Sequence, residues 1–294
     1  GRAYDWYNVG KLRNSGFEFD LNVKLIQKKD WYWDMSVNGY TYANKMLNLP
    51  DEYKVSGMPN GNQRIYEGKD IYRWEMRQFA GLDEKGNSLW YMDRDLTDGE
   101  GNVVGVEKVT TGDATEATQY LLEKSALPDF TGGLNTTLRW KSLDLTIMTN
   151  FQFGGYGYDY DFSAFSSANF PMNRLKNYAD AWNPETGKGS APIWNTNDSN
   201  INASSDRFLI SKTYFNLRNI TLGYTFPANW MSKIGIKSVR VYFACDNVFF
   251  ASKRKGYDPR TSMGGQGATV ALNSVDGTYY SPIRTTSVGL NINF

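Results

Sequence analysis

The feature that most constrains this chain is a period of two, sustained over long segments. In 129–140, "DFTGGLNTTLRW", Phe130, Leu134, Leu138 and Trp140 are in phase against Thr131, Asn135, Thr137 and Arg139. In 142–153, "SLDLTIMTNFQF", Leu143, Leu145, Ile147, Phe151 and Phe153 oppose Asp144, Thr146, Asn150 and Gln152. Such alternation gives a β-strand two unlike faces. The turn between the two segments is essentially Lys141, which predicts a tight hairpin. Segments 17–26 ("FEFDLNVKLI") and 31–42 ("WYWDMSVNGYTY") alternate in the same way around the short turn "QKKD". Two later strands are predicted over 213–226 and 236–249; in the first, Phe215 and Leu217 fall out of phase, as at a bulge or a loop end. In "TTSVGLNINF", Val288, Leu290, Ile292 and Phe294 alternate with Ser287, Gly289, Asn291 and Asn293.

These segments run about 10–13 residues. Globular strands are usually about 5–6 residues long, whereas a tilted membrane-crossing strand needs about 9–11. The composition allows either setting. Aromatics make up 15%, mean hydropathy is -0.55, and no apolar run approaches the ~18 residues of a membrane helix. A soluble sandwich and a transmembrane β-barrel with a polar lumen both fit these totals, and strand length favours the barrel. Connection lengths agree: 27–30, 141 and 227–235 are short, whereas 43–64, 154–212 and 250–282 are long. Outer-membrane barrels pair short periplasmic turns with long extracellular loops. Keeping all short turns on one side requires two more crossings, expected in 65–80 and near 87–93, for about nine in all. An odd number cannot close a barrel of the usual even count, so the chain is expected to be completed by another chain or by further sequence. Trp31, Trp140, Trp230, Phe226 and Phe294 fall at short-turn ends, where a membrane-interface girdle belongs; core packing in a sandwich is the alternative for the tryptophans.

Several functional classes lose support. The net charge is +1, which offers no basic stripe for a nucleic-acid partner. One cysteine, Cys245, precludes an internal disulfide, and the absence of histidine removes His triads and His metal sites. No nucleophile motif or phosphate loop appears, so enzyme activity is not expected. "GRAYDWYNVG" has neither the basic nor the apolar region of a signal peptide.

The motifs carry a resemblance. "NVGKLRNSGFEFDL" (8–21), "ALPDFTGGLNTTLRWKSLDLTI" (126–147), "YFNLRNITLGYTFPANW" (214–230), "VRVYFACDNVFF" (239–250), "GYDPR" (256–260) and the alternating strand ending in Phe294 resemble the C-terminal barrel part of SusC/RagA-type TonB-dependent transporters. Their order and spacing match across nearly the whole chain. The resemblance implies an all-β fold, here the C-terminal part of an antiparallel outer-membrane barrel of about 22 strands in a Gram-negative bacterium. It also implies TonB-dependent import of an oligosaccharide or peptide beneath a SusD-like lipoprotein lid. Implied partners are the remaining barrel and plug, TonB acting through that plug, and outer-membrane lipid. Val288, Leu290, Ile292 and Phe294 would form the outer-membrane insertion signal. Signal peptide, TonB box and plug do not occur in this sequence. A non-transporting outer-membrane barrel or adhesin, and a soluble all-β carbohydrate-binding protein, are the alternatives.

Two regions carry candidate sites. "DRDLTDGEGN" (93–102) lies one residue short of an acidic turn found in related transporters. Asp93, Asp95, Asp98 and Glu100 offer hard oxygen ligands for Ca²⁺, although EF-hand spacing fails. In the long loop, Tyr156, Tyr158, Tyr160, Trp182 and Trp194 are candidate substrate contacts, because aromatic faces beside Asp and Asn suit polar ligands. Packing of the loop on itself or against a lid is the competing role. A short helix is expected in 170–182 and a mobile glycine-rich loop in 256–270. Arg73, Glu75, Arg77, Arg139 and Asp144 are expected to face the lumen.

Overall fold

The computed structural model describes residues 10–166, 180–195, 198, 200–253 and 282–294. The first hairpin joins β1 (Lys11–Gln27) and β2 (Trp31–Asn48). Short strands follow: β3 (Met58–Asn60), β4 (Gln63–Ile65), β5 (Arg73–Arg77), β6 (Phe79–Leu82), β7 (Ser88–Thr97), β8 (Val103–Thr111) and β9 (Gln119–Ser125). A second long hairpin joins β10 (Pro128–Trp140) and β11 (Leu143–Gly154). After β12 (Tyr156–Tyr158), helix α1 (Tyr160–Phe165) and β13 (Leu209–Ser211) come the long strands β14 (Tyr214–Thr225), β15 (Ser238–Ser252) and β16 (Thr285–Asn293).

The long strands make one antiparallel sheet of seven, in the order β1-β2-β10-β11-β14-β15-β16. Its register aligns the alternation of every strand. One row across the sheet reads Leu21, Val37, Leu134, Thr149, Leu217, Phe249. A second reads Trp33, Leu138, Leu145, Leu222, Phe243, Val288. The opposite face is polar, as in the row Tyr32, Arg139, Asp144, Gly223, Tyr242, Gly289. The expected bulge in β14 is present as a register shift between Leu217 and Asn219. It restores Phe215 and Leu217 to the apolar face.

No second layer covers that face among the described residues. Phe17 is 68% exposed and Val288 78%, while the three buried apolar clusters draw only Met46 from this sheet. A sandwich would bury this band between two sheets. A contiguous apolar face of this extent in water is an aggregation hazard, and hydrocarbon is the solvent it fits.

Aromatics mark both ends of the band. At the short-turn end Trp31 pairs with Trp140 across β2 and β10, with ring centroids 5.7 Å apart. Trp230 and Phe294 stand exposed, and Phe226 packs edge-on to Tyr224 at 5.2 Å. At the long-loop end, Phe17, Phe19, Phe130, Phe151 and Phe153 form a chain of ring contacts at 5.6–6.4 Å. The Phe130 ring lies over Gly39, and Gly132 sits 3.1 Å from both the Phe130 and Phe151 rings, measured from where a Cβ would be. Glycine at these positions is what lets the rings lie flat on the sheet. From Phe130 to Trp140 is ten residues along β10. At about 3.3 Å per residue and a tilt of about 40°, this projects to about 25 Å, the height of an outer-membrane apolar band.

The two extra crossings predicted in 65–80 and near 87–93 are not in this sheet. They fold into a four-stranded sheet, β3-β4-β5-β9, and a three-stranded sheet, β6-β7-β8. The reason is burial: Trp74, Glu75 and Met76 are consecutive and all buried, so the segment has no open face to turn to lipid. Seven strands is still an odd number, and β2 joins β10 through one long outer excursion. The long connections are correspondingly redrawn: β2 runs to Asn48, β3 lies within 43–64 and β4 straddles its end, and β12, α1 and β13 occupy parts of 154–212. Most of the third long connection, 254–281, lies outside the described residues, as does 256–270 within it. Of the helix expected in 170–182, residues 170–179 are also outside them.

On the polar face Arg240 crosses β14 to make a bidentate pair with Asp144, Nε to Oδ1 at 3.0 Å. Gly223 lies between the two residues, and a Cβ there would collide with the Arg240 guanidinium. Gly223→Val should therefore break this pair. It should lower the unfolding free energy of the full-length protein in lipid by about 1–2 kcal/mol. Urea unfolding of refolded protein measures this, with Gly223→Val in an Asp144→Ala background expected to add little.

Candidate functional site

Two long excursions, 49–127 and the described parts of 155–213, interlock over one end of the seven-stranded sheet. Their shared core is Trp74, Met76, Leu122 and Ala126 from the first, with Tyr158, Phe208 and Leu209 from the second. Polar contacts repeat the link. Trp74 Nε1 donates to the Tyr156 carbonyl at 3.1 Å, the Phe79 N–H donates to Asp206 Oδ1 at 2.9 Å, and Ser204 Oγ donates to Asn62 Oδ1 at 3.0 Å. Trp90 is fully buried in a second cluster with Ala114 and Ala117, with its ring edge-on to Phe79 at 5.4 Å. The two excursions thus form one packed mouth over the end of the sheet.

The structure separates the loop aromatics into two groups. Tyr158, 3% exposed, is an anchor of the core: Tyr160 packs edge-on against it at 4.6 Å, and its hydroxyl donates to Ser163 Oγ at 3.2 Å. Burial pushes both tyrosine hydroxyls above their ordinary pKa. Tyr156 packs against the same core. The three tyrosines thus fasten β12 and α1 to the mouth, with Asp159 capping α1 through the Phe162 N–H at 2.9 Å. Trp182 and Trp194 lie elsewhere, beside the β6–β7 turn: Trp182 lies against Gly86, and the Ile193 N–H donates to the Gly86 carbonyl at 2.9 Å. Trp194 is 45% exposed.

The acidic stretch is dispersed. Asp98 closes its own turn, accepting the N–H groups of Asn102 and Glu100 at 2.9 Å each. These bonds, Asn102 foremost, hold its carboxyl below the usual range. Asp93 accepts the Tyr120 hydroxyl, and burial together with this carboxylate pushes that phenol up to about 12. Among the described residues no group of three or more acidic side chains has metal-binding geometry, and Asp93, Asp95 and Asp98 do not converge.

Of the charges expected in the lumen, Arg139 and Asp144 do lie on the polar face of the wall. Arg73, Glu75 and Arg77 belong instead to the mouth. Arg73 bridges Asp70 and Glu123, and Arg64 and the Tyr66 hydroxyl both donate to buried Glu75 at 2.5 and 2.9 Å. The Arg73 guanidinium holds the Glu123 carboxyl below its ordinary range. Asp70, Arg73 and Glu123 border a feature that sequence reasoning missed. β2 pairs with β10 only as far as Tyr40–Thr131, while β1 stays paired with β2 up to Lys11–Asn48. The resulting fork opens a polar cleft of about 740 Å³ edged by Thr41, Tyr42, Asp70, Arg73, Glu123 and Tyr156. No local pattern could have revealed it, because it depends on where two strands distant in sequence part.

A buried tyrosine and an exposed tryptophan should behave differently. Tyr158→Ala should cost about 3–5 kcal/mol of local stability and make β12, α1 and β13 protease-sensitive, whereas Trp194→Ala should leave the cleavage pattern there unchanged. Limited proteolysis of the detergent-purified full-length protein distinguishes them; equal resistance of both variants would contradict the packing described.

No protein-family model matches the chain. Comparison with curated proteins finds TonB-dependent receptor P3 of Formosa agariphila, 25% identical over 98% of this chain, and TonB-dependent receptor SusC of Bacteroides thetaiotaomicron, 26% identical over 98%. Among solved structures, the RagAB peptide transporter superposes over 98% of this chain with a TM-score of 0.74 and 25% identity. The chain spans less than a third of each of these proteins: 29%, 27% and 30% of their lengths. Similarity in sequence and in fold thus runs along nearly the whole chain.

Proposed function

We propose that this chain, a SusC/RagA-type barrel segment by sequence and fold, forms part of the wall and mouth of an outer-membrane importer in a Gram-negative bacterium. The observation that carries this reading is the sheet itself. Seven paired strands present a continuous apolar band about 25 Å high on one face and a polar surface on the other. Both outer edges, β1 and β16, lack partners among the described residues. Unpaired backbone groups in hydrocarbon cost several kcal/mol each, so both edges require further strands. We place these strands, and the plug they enclose, in the rest of the transporter.

In this reading the interlocked excursions face the cell exterior and capture an oligosaccharide or peptide with a SusD-like lipoprotein as lid. The ligand then passes along the polar face once TonB displaces the plug. The chain carries out positioning and passage, not bond chemistry. Trp31, Trp140, Trp230, Phe226 and Phe294 form the periplasmic girdle, and the phenylalanine chain from Phe17 to Phe153 forms the outer one. Val288, Leu290, Ile292 and Phe294 present the last apolar stripe to the insertion machinery.

Heat-modifiable migration of the full-length protein and its extraction only by detergent test the barrel. Copurification of a surface lipoprotein, and loss of nutrient uptake on deletion of the gene, test the importer. A compact protein soluble without detergent would sink the proposal. Phe294→Ala should lower the amount of folded protein in the outer membrane several-fold, scored by surface labelling; unchanged surface levels would remove Phe294 from the insertion signal.

A further inference from the structure

We propose that the outward face of the β1–β2 hairpin, at its long-loop end, docks the phosphorylated head group of an outer-leaflet lipid, with Arg13 and Lys45 as the phosphate-binding pair. The proposal rests on the membrane-wall reading and adds to it a ligand outside the lumen. In the hairpin register Arg13 stands directly opposite Lys45. Opposed Cβ atoms of an antiparallel pair lie about 4.5–5.5 Å apart, and like charges there repel. Four other pairs of charged residues stand directly opposite one another among the described strands, and all four are of opposite sign: Lys24–Asp34, Arg139–Asp144, Asp93–Lys108 and Arg94–Glu107. Arg13–Lys45 is the exception.

The two cations point away from the mouth. Asn44 Nδ2 donates to Asn14 Oδ1 at 2.5 Å, the Ile71 N–H donates to Asn44 Oδ1 at 3.1 Å, and Met46 is buried with Leu49 and Ile65. Residues 14, 44 and 46 therefore face inward, and by alternation Arg13 and Lys45 share the outward face with Phe17. Both are exposed, as is Lys11 two residues farther along β1. The outward positions between them and Phe17, namely Ser15, Thr41 and Ala43, carry no charge. Neither cation has an ion-pair partner among the described residues. Two carboxylates of the first excursion approach β2, and both are engaged: Glu67 Oε1 accepts the Leu49 N–H at 2.7 Å, and Glu123 pairs with Arg73.

Depth and chemistry select the occupant. Four residues at about 3.3 Å each, with a tilt of about 40°, put Arg13 about 10 Å beyond Phe17. That level is the polar layer outside the hydrocarbon, where head groups lie and long basic side chains reach them. A phosphate has oxygens enough to accept from the guanidinium fork and the ammonium together, which turns their repulsion into a shared attraction. Below the pair on the same face, Phe17 is 68% exposed and Leu21 54%. A phosphate carried on acyl chains gains contact with these residues, and a free phosphate does not. A carboxylate on the strand that completes the free edge of β1 would instead hold the pair from within the protein, and the test separates the two.

The test uses the full-length protein purified in detergent, with diphosphoryl lipid A, chemically dephosphorylated lipid A and inorganic phosphate as separate probes. Native mass spectrometry measures bound lipid, and urea unfolding reads stability with and without each probe. Diphosphoryl lipid A should stay bound and raise the unfolding midpoint, whereas the dephosphorylated form and inorganic phosphate should not. Arg13→Gln combined with Lys45→Gln should weaken lipid A binding about 10-fold, and Lys24→Gln, on the lumen face, should leave it unchanged. Lys45→Glu turns the repulsion into an attraction: it should raise the midpoint without lipid and abolish the increment that lipid A gives. Equal binding of the two lipid A forms, undiminished binding by the double variant, or equal stabilisation by inorganic phosphate would each overturn the site. So would a lowered midpoint for Lys45→Glu, the result expected if a neighbouring carboxylate holds the pair. Heat-modifiable migration of the wild type keeps the barrel reading standing in those events; its loss would bring down the barrel instead.

Discussion

A strand wall in hydrocarbon has two obligations: its backbone N–H and C=O groups must be paired in a sheet, and its outward side chains must be predominantly apolar. The rest of this structure follows from meeting both. Pairing in register brings seven separate alternations into one band, so that Leu145, Leu222, Phe243 and Val288 line up across four strands. A register slip of one residue would turn Asp144 and Arg139 outward. The bulge at Leu217–Asn219 shows the same rule from the other side: where the sequence phase slips, the backbone gives up a ladder position to keep Phe215 and Leu217 outward.

The wall has little core of its own, because its apolar face is matched to lipid and its polar face to water. Cohesion on the polar face comes from side-chain bonds such as Asp144–Arg240 and Asn216–Asn150. The mouth obeys different physics. It lies beyond the band, and there the chain buries Trp74, Trp90, Tyr158 and Phe208 in small soluble-type cores. Those cores tie the two excursions together beside the fork cleft.

How much of this was legible in the sequence follows from the same division. The wall strands were readable because lipid enforces a period of two over a dozen residues. Even the bulge in β14 appeared as a phase slip at Phe215 and Leu217. The mouth was not readable. In "RWEMR" three consecutive buried residues erase any alternation, and a crossing was expected where a five-residue inner strand formed. Tyr156, Tyr158 and Tyr160 were visible as an aromatic run, but whether an aromatic packs or binds depends on partners such as Phe208 that are distant in the chain. Neither the contact of Trp182 with Gly86 nor the fork between β2 and β10 leaves a local signature.

The central claim is that the face bearing Leu143, Leu145 and Ile147 touches lipid and the face bearing Asp144 and Thr146 touches water. Spin labels placed one at a time from Leu143 to Ile147 of the full-length protein in lipid bilayers, in a Cys245→Ala background, test it directly. Accessibility to oxygen should peak at 143, 145 and 147, and accessibility to a polar nickel relaxant at 144 and 146. Equal access of the polar relaxant to all five positions would contradict the account.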